Sequence, residues 1–261
     1  MNSRLCNCRF PSSIEVAHYR GRIPDLVSCR CGEDAAGSVN PWEWCVEDNT
    51  NVIVIDERDI IFHPRRSNGT AIARGSRPLK AGMVHCWETL VMTPLVGTDV
   101  MVGIGTDKVN LGEFISKFTS ALGGNSDSWG YSYSGKIQHG GKMSTYGRKF
   151  GQGCLIGVYL DRARGHLEFY LNRRSLGVAY TNVPTNADVN IYPMVSSTAF
   201  RTGIRLVNSM SLDDTLLLRS FQVAAKQPEV RAELRKVPGL MGILRSTWLA
   251  TMFQDSTYAY A

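Results

Sequence analysis

The sequence predicts an all-β protein, an antiparallel β-sandwich followed by a small helical segment. Three observations predict it. Short apolar runs rich in valine, isoleucine and aromatics recur at close spacing between Trp42 and Asn208. Turn-forming residues bound nearly every run, and after Asn208 the β-runs give way to helical periodicity. The 261 residues are 43% apolar and 20% charged, with 25 glycines and 10 prolines scattered along the chain, which suits one large β-domain with something small appended.

Residues 1–40 mix Arg, Ser, Gly and Cys with little periodicity and read as a flexible, cysteine-containing leader. The β-domain is assigned to 41–209. Its strands are read at Val52 to Ile55 and Ile60 to Phe62, then in MVHCWETLVM, TDVMVGIGT, SWGYSYSG, GCLIGVYLD, HLEFYLN, LGVAYT, IYPMVSST and TGIRLVN. In HLEFYLN, Leu167, Phe169 and Leu171 alternate with His166, Glu168 and Tyr170, the period of a strand buried on one face. Turn chemistry at Asp161 to Gly165 and at Asn172 to Arg174 makes residues 155–180 an antiparallel meander, and two packed sheets follow. LGEFISKFTSALGG, with Phe114, Phe118 and Leu122 four apart and a Gly pair at its end, predicts a short surface helix or helical turn.

From Ser211 to Phe253 no β-run is seen, and Pro228 and Pro238-Gly239 divide the stretch into three short helical segments over 211–253, with 254–261 as a tail. Leu212, Leu216, Ser220 and Ala224 are four residues apart, flanked by Leu217 and Phe221, and form one apolar face; Leu240, Ile243, Leu244 and Trp248 form another.

No run of about 18 apolar residues exists, and residues 1–20 lack the apolar stretch of a secretory signal, so neither membrane insertion nor secretion is expected. An intracellular protein, nuclear or cytoplasmic, keeps its thiols reduced. Cys45, Cys86 and Cys154 sit among apolar residues and read as small hydrophobes. Cys6, Cys8, Cys29 and Cys31 form two Cys-x-Cys pairs; they are free thiols or, at a spacing tighter than usual, four ligands to zinc.

The net charge of +6 comes from dispersed basic residues with no run of lysine or arginine, so a nucleic-acid partner is not expected. Enzymatic chemistry has little support. Gly103-x-Gly105 lacks the third glycine and the helix of a dinucleotide site, and the five histidines have no metal-like spacing. His85 and Cys86 are adjacent, so on a strand they point to opposite faces and cannot act as base and nucleophile. No cofactor is expected. A stable β-scaffold with long loops suits recognition, and HPRRSNGT, PLVGTD and SSTAFRTG carry small, polar and aromatic residues suited to a shallow pocket.

MVHCWE, VGTDVMVGIGT, ALGGNSDSWGYSYSGKIQHGGK, GVYLDRARGHLEFYLNRRSLGVAYTNV and YPMVSSTA, in this order over about 42–208, resemble the SPRY domain. With Cys29 to Glu33 and the Trp42-x-Trp44 element, the chain is most similar to the SPRY-domain and SOCS-box family. That resemblance implies a SPRY sandwich that grips short Asn-containing peptides of target proteins, and a three-helix SOCS box that recruits elongin B, elongin C and a cullin. It implies a non-catalytic substrate receptor of a ubiquitin ligase.

Carried over residue by residue, the peptide-binding positions are His63, Arg65, Gly97, Thr98, Phe118, Thr198, Ala199 and Phe200. Gly97 and Thr98 keep the family's residue types, whereas Phe118 lacks the usual phenolic hydroxyl. The elongin-binding positions are Leu216, Ser220 and Ala224, with serine where the family prefers cysteine. The cullin-contacting element reads Leu-Pro-x-Pro in the family; here Leu234, Val237 and Pro238 stand at a degenerate version of it, which places recruitment of cullin-5 in question. The alternative is a SPRY interaction adaptor without ligase recruitment.

Overall fold

The computed structural model describes residues 41–45, 51–55, 57–225, 227–234 and 236–237. The leader with Cys6, Cys8, Cys29 and Cys31, the position Pro238 and the expected third helical segment lie outside these residues.

Among the described residues fourteen strands form two antiparallel sheets. In chain order they are β1 (Trp44–Cys45), β2 (Val52–Val54), β3 (Asp59–Phe62), β4 (Ala71–Gly75), β5 (Met83–Val91), β6 (Val100–Thr106) and β7 (Ser128–Ser132). They continue as β8 (Lys136–His139), β9 (Lys142–Thr145), β10 (Leu155–Asp161), β11 (His166–Leu171), β12 (Arg174–Tyr180), β13 (Ile191–Ser197) and β14 (Gly203–Asp213). One sheet has the order β1-β4-β13-β6-β7-β8-β9 and the other β12-β11-β10-β5-β14-β3-β2. The main core fills the space between them and includes Trp42, Trp87, Trp129, Tyr131, Phe169 and Ile204.

The meander expected over 155–180 is β10 to β12, with Val158 opposite Phe169 and Leu171 opposite Arg174. Asn172 and Arg173, both at positive φ (50° and 65°), make the two-residue turn of the β11–β12 hairpin. Leu167, Phe169 and Leu171 enter the inter-sheet core, as their alternation predicts. Tyr170, on the other face, is buried too. The reason is helix α1 (Leu216–Ala225), whose Leu218 packs with Val84, Cys86, Tyr159, Tyr170 and Met210 on the outer side of that sheet. A second helix, α2 (Pro228–Leu234), begins at the proline that was expected to divide the segment, a residue suited to the first helical position.

One expectation changes. β14 continues through Asp213, with Ser211, Leu212 and Asp213 opposite His85, Val84 and Met83 of β5, so the β-domain runs past the boundary at 209. Pairing with a long neighbour supplies the backbone hydrogen bonds that weak local patterning did not announce. The segment around Phe114 takes the turn form of its two expected alternatives, with consecutive turns in which Ile115 N–H donates to Gly112 O (3.4 Å) and Lys117 N–H to Phe114 O (3.0 Å). Its hold comes from Thr70, whose hydroxyl lies 2.7 Å from Lys117 O and 3.0 Å from Thr119 O.

Two buried carboxylates of the β5 sheet, Asp59 and Glu88, are paired with arginines. Arg205 and Asp59 form a bidentate pair (2.8 and 2.9 Å). Glu88, fully buried on β5, accepts from Arg173 Nε (3.0 Å), Arg173 Nη2 (3.1 Å) and Asn208 Nδ2 (3.2 Å). Removing the guanidinium would leave a buried carboxylate undercompensated. Arg173→Ala is expected to cost about 3 kcal/mol, read as a lower denaturant midpoint at unchanged slope.

His85 Nε2 lies 2.9 Å from Lys80 O, a carbonyl that can only accept, so Nε2 carries the proton and Nδ1 accepts from Ser211 Oγ at 2.8 Å. Burial lowers its pKa to about 4. The unfolded chain, with histidine near the ordinary value of about 6.5, therefore takes up this proton first as pH falls. Stability from this site is full above about pH 6.5 and declines towards about pH 4, by about 3 kcal/mol in all. Urea titrations of the protein and of His85→Gln across that window check it; the variant should lose less stability on acidification.

Candidate functional site

The strand directions bring three connections to one end of the sandwich: 63–70 between β3 and β4, 92–99 between β5 and β6, and 198–202 between β13 and β14. These hold the three loops singled out in the sequence. With Phe118 from the β6–β7 connection they line an open cleft of about 530 Å³ formed by Ser67, Val96, Gly97, Thr98, Phe118, Thr198 and Phe200. Three large apolar side chains stand exposed around it: Val96 (61%), Phe118 (55%) and Phe200 (38%). Apolar surface held out to solvent beside a concave polar floor is a binding feature rather than a packing one.

The floor is built around Asp99. This buried carboxylate accepts from Val100 N (2.8 Å) and Ser132 Oγ (2.6 Å) through Oδ1 and from Ser120 Oγ (2.5 Å) through Oδ2. Its backbone N–H donates to Thr198 Oγ1 (2.9 Å), and the Thr198 hydroxyl lies 3.1 Å from Asp99 O. Ser67 Oγ donates to Thr198 O at 2.7 Å, and Tyr133 OH to Gly97 O at 3.0 Å. Asp99 thus ties together the loops that bear Thr98, Phe118 and Thr198, the second through its carboxylate and the third through its backbone. Burial pushes its carboxyl up from the ordinary range, and the three donors work against that shift.

Of the eight predicted peptide-binding residues, Gly97, Thr98, Phe118, Thr198 and Phe200 line the cleft together. Thr98 is exposed, whereas the Thr198 hydroxyl is occupied by the backbone of Asp99, so Thr98 is the threonine able to meet an incoming amide. Gly97 has φ +133°, and a Cβ there would lie 2.9 Å from Thr198 Oγ1 and 3.3 Å from the Ala199 Cα; glycine is required. Ala199 is buried beneath the cleft, with its N–H held by Ser197 Oγ at 2.9 Å.

His63 does not reach the cleft. It is fully buried, and its Nε2–H donates to Ser197 O at 2.8 Å, so it supports the β13–β14 connection from below; burial lowers its pKa. Arg65 is exposed on the same loop but lines no part of the cleft. Arg201, beside Phe200, places its guanidinium 4.6 Å from that ring's centroid and donates from Nε to Pro64 O (2.8 Å). Ser67 and Val96 are lining residues the carry-over missed, although both lie in loops chosen for their composition.

A separate exposed face lies on α1. Thr215 caps the helix, with Leu218 N–H donating to its hydroxyl at 3.1 Å. Leu218, Phe221 and Gln222 are buried against the β-domain, while Leu216 (85% exposed), Leu217, Ser220 and Val223 (63%) face solvent, with Ala224 half-buried. The Ser220 hydroxyl donates to Leu216 O at 2.8 Å, so its polarity is satisfied within the helix. Arg219 anchors the buried side through Asp161 (2.7 Å) and Asp214 (2.5 Å), and Gln222 Nε2 donates to Tyr159 OH at 2.9 Å. The six-residue apolar face read from spacing is therefore split, with Phe221 turned inward and Leu216, Ser220 and Leu217 outward. Leu234 is half-buried at the end of α2 and Val237 is exposed.

Among the described residues no cluster of His, Cys, Asp and Glu has the arrangement of a metal site, and no helix is long and apolar enough to cross a membrane. Cys86 and Cys154 are buried and form no disulfide among the described residues, and burial raises the Cys86 pKa well above its ordinary value.

Asp99→Ala would leave the Ser120 and Ser132 hydroxyls and the Val100 N–H without their acceptor. A loss of about 3 kcal/mol is expected in thermal or denaturant unfolding, with faster amide exchange concentrated at 96–100, 118–120 and 198–200.

The SPRY-domain family profile matches residues 84–208, from β5 into β14. The chain is 42% identical over 248 residues to "SPRY domain-containing SOCS box protein 3" of Xenopus tropicalis, covering 92% of this chain and 66% of that protein. It is 41% identical over 233 residues to the protein of the same name from Xenopus laevis, covering 87% and 64%. The chain thus spans just under two thirds of the length of these curated relatives. A solved human SPRY domain is 20% identical, covers 60% of this chain and 94% of its own, and gives a TM-score of 0.49. With a SPRY domain matched across the centre of its sandwich and this identity along nine tenths of its length, the chain belongs to the SPRY domain-containing SOCS box protein family.

Proposed function

We propose that this chain is a non-catalytic substrate receptor. Its SPRY cleft takes short segments of target proteins, and its C-terminal helices act as a SOCS box that recruits elongin C, elongin B and a cullin-RING ubiquitin ligase. The observation that carries this reading is the presence, on one scaffold, of two separate surfaces that no other described residue covers. The cleft, ringed by Val96, Phe118 and Phe200, lies at one end, and the outward face of α1 bearing Leu216 and Val223 follows the other end of β14. A chain with one partner needs one such surface; a receptor needs two.

The chemistry of the cleft favours a segment containing Asn. An amide requires both a donor and an acceptor when buried, and Thr98 offers a free hydroxyl beside the close-approach backbone of Gly97. On α1, Leu216, Ser220 and Ala224 present a narrow strip for an apolar groove, and the internal bond of Ser220 lowers the cost of burying serine there. The ligase would act by proximity, holding a bound target near a charged ubiquitin carrier.

A specific observation favours a second reading. Leu218, Phe221 and Gln222 already pack on the β-domain, so α1 has a purpose without elongins, and Leu234 to Pro238 lacks the Leu-Pro-x-Pro element. In that case the chain is an adaptor that gathers partners without ubiquitylation. Co-purification from cells separates the two. The receptor reading expects elongins B and C with the intact chain, and their loss in Leu216→Asp with no change in melting temperature, because Leu216 is almost fully exposed. Absence of elongins from the intact chain would establish the adaptor instead. Recovery of cullin-5 in the same pull-down tests whether the altered Leu234 to Pro238 element still engages it.

A further inference from the structure

At the end of the sandwich opposite the cleft, the connection from β4 to β5 and the last residues of β14 enclose a second recess of about 280 Å³. Trp42, Leu79 and Met83 supply apolar walls, His85 lies buried at its base, and the exposed Arg77 and Lys80 stand at its mouth. Both His85 nitrogens are already engaged, by Lys80 O and Ser211 Oγ, so the imidazole offers a ring surface and no free polar atom. The interior therefore selects an apolar group.

The electrostatics select an anion. Among the described residues no carboxylate lines the recess. Behind it Arg162 is 1% exposed, and its guanidinium donates only to the carbonyls of Leu79 (2.6 Å), Asn186 (2.9 Å) and Val189 (3.2 Å). Among the described residues it has no acidic partner, and its charge acts with burial to keep His85 neutral, so this positive field reaches the base of the recess. The same bonds fix the wall in place, with Leu79 N–H donating to Ile191 O at 2.7 Å. The recess is preformed, apolar inside and uncompensated in positive charge, and its volume is near the lower end of the range of about 300–1,000 Å³ for ligand pockets, enough for one large side chain. Two cations at one mouth, without a basic track leading from them, do not suit a nucleic-acid backbone.

We propose that this recess is a second docking site, which takes a linear segment of a partner protein. One large apolar side chain of that segment sits between Trp42, Leu79 and Met83, and acidic residues beside it pair with Arg77 and Lys80. The site is independent of the cleft and of the function proposed for it. It lies at the end of the sandwich from which α1 departs, so cleft and recess can be filled at once.

The test is fluorescence anisotropy on the full chain with a fluorescein-labelled peptide Gly-Asp-Glu-Phe-Asp-Gly and its amide counterpart Gly-Asn-Gln-Phe-Asn-Gly. The acidic peptide should bind about tenfold more tightly than the amide form and weaken as salt is raised. The double variant Arg77→Glu, Lys80→Glu should lose about tenfold while keeping its melting temperature, since both side chains are exposed. Met83→Trp, which fills the recess and leaves the charges, should also lose binding. Equal binding of the two peptides, indifference to both variants, or no signal up to millimolar peptide would overturn the proposal. Binding seen only in Glu33→Lys, Asp34→Lys would overturn it as well, because the acidic lead-in of the same chain would then be the occupant.

Discussion

The antiparallel pairing of β14 with β5, from Ile204 opposite Val91 to Asp213 opposite Met83, is the constraint on which the other features depend. β14 leaves the cleft connection at one end and delivers the chain to α1 at the other. A bulge between Leu206 and Asn208 interrupts the register midway and brings Asn208 against Glu88, the carboxylate that also holds Arg173 in the β11–β12 turn. A slip of one residue would turn Trp87 and Val91 out of the inter-sheet core and break the Glu88 cluster together. The cleft and the helix are therefore held at opposite ends of one strand pair, and the geometry between them is that of the sheet.

The helix illustrates how one short element serves two surfaces. Ten residues of helix are marginal alone, and α1 is held by burial of Leu218 and Phe221 and by the bridge from Arg219 to Asp161 and Asp214. Asp161 closes β10, so this bridge joins the helix to the strand beside β5. That anchoring leaves Leu216 and Val223 in solvent with no competing contact on the β-domain. An exposed leucine fixed on a rigid helix loses little conformational freedom when it meets a groove, which makes it a better anchor than the same residue on a loose tail.

The cleft shows the same division between support and contact. Asp99, Ser120, Ser132 and the Thr198 hydroxyl spend their hydrogen bonds on one another, and His63 spends its Nε2 proton on Ser197 O. What is left to face a ligand is mostly apolar, with Thr98 as the free hydroxyl. The three loops chosen from composition meet at one end of the sandwich, because strand parity sends alternate connections to the same end. The roles within them were not legible. His63 and Phe200 are both bulky residues in chosen loops, yet one is fully buried and the other exposed, and only the path of the backbone separates them. The positive φ of His63 (49°) and of Arg201 (55°) sets that path, and neither residue announces it in the sequence.

Alternation and turn chemistry by themselves determined the all-β class, the β10–β12 meander with Leu167, Phe169 and Leu171 inward, and the helical break at Pro228. These are local: period, turn preference and the missing proline N–H act within a few residues. The tertiary structure alone decided that β14 extends to Asp213, that Phe221 turns inward while Leu216 does not, and that Asp99 is the hub of the cleft. It also decided that Arg162 lies buried behind a recess whose walls come from residues as far apart as Trp42 and Ser211. Each of these depends on partners distant in the chain, and their energies arise only when the sheets have closed.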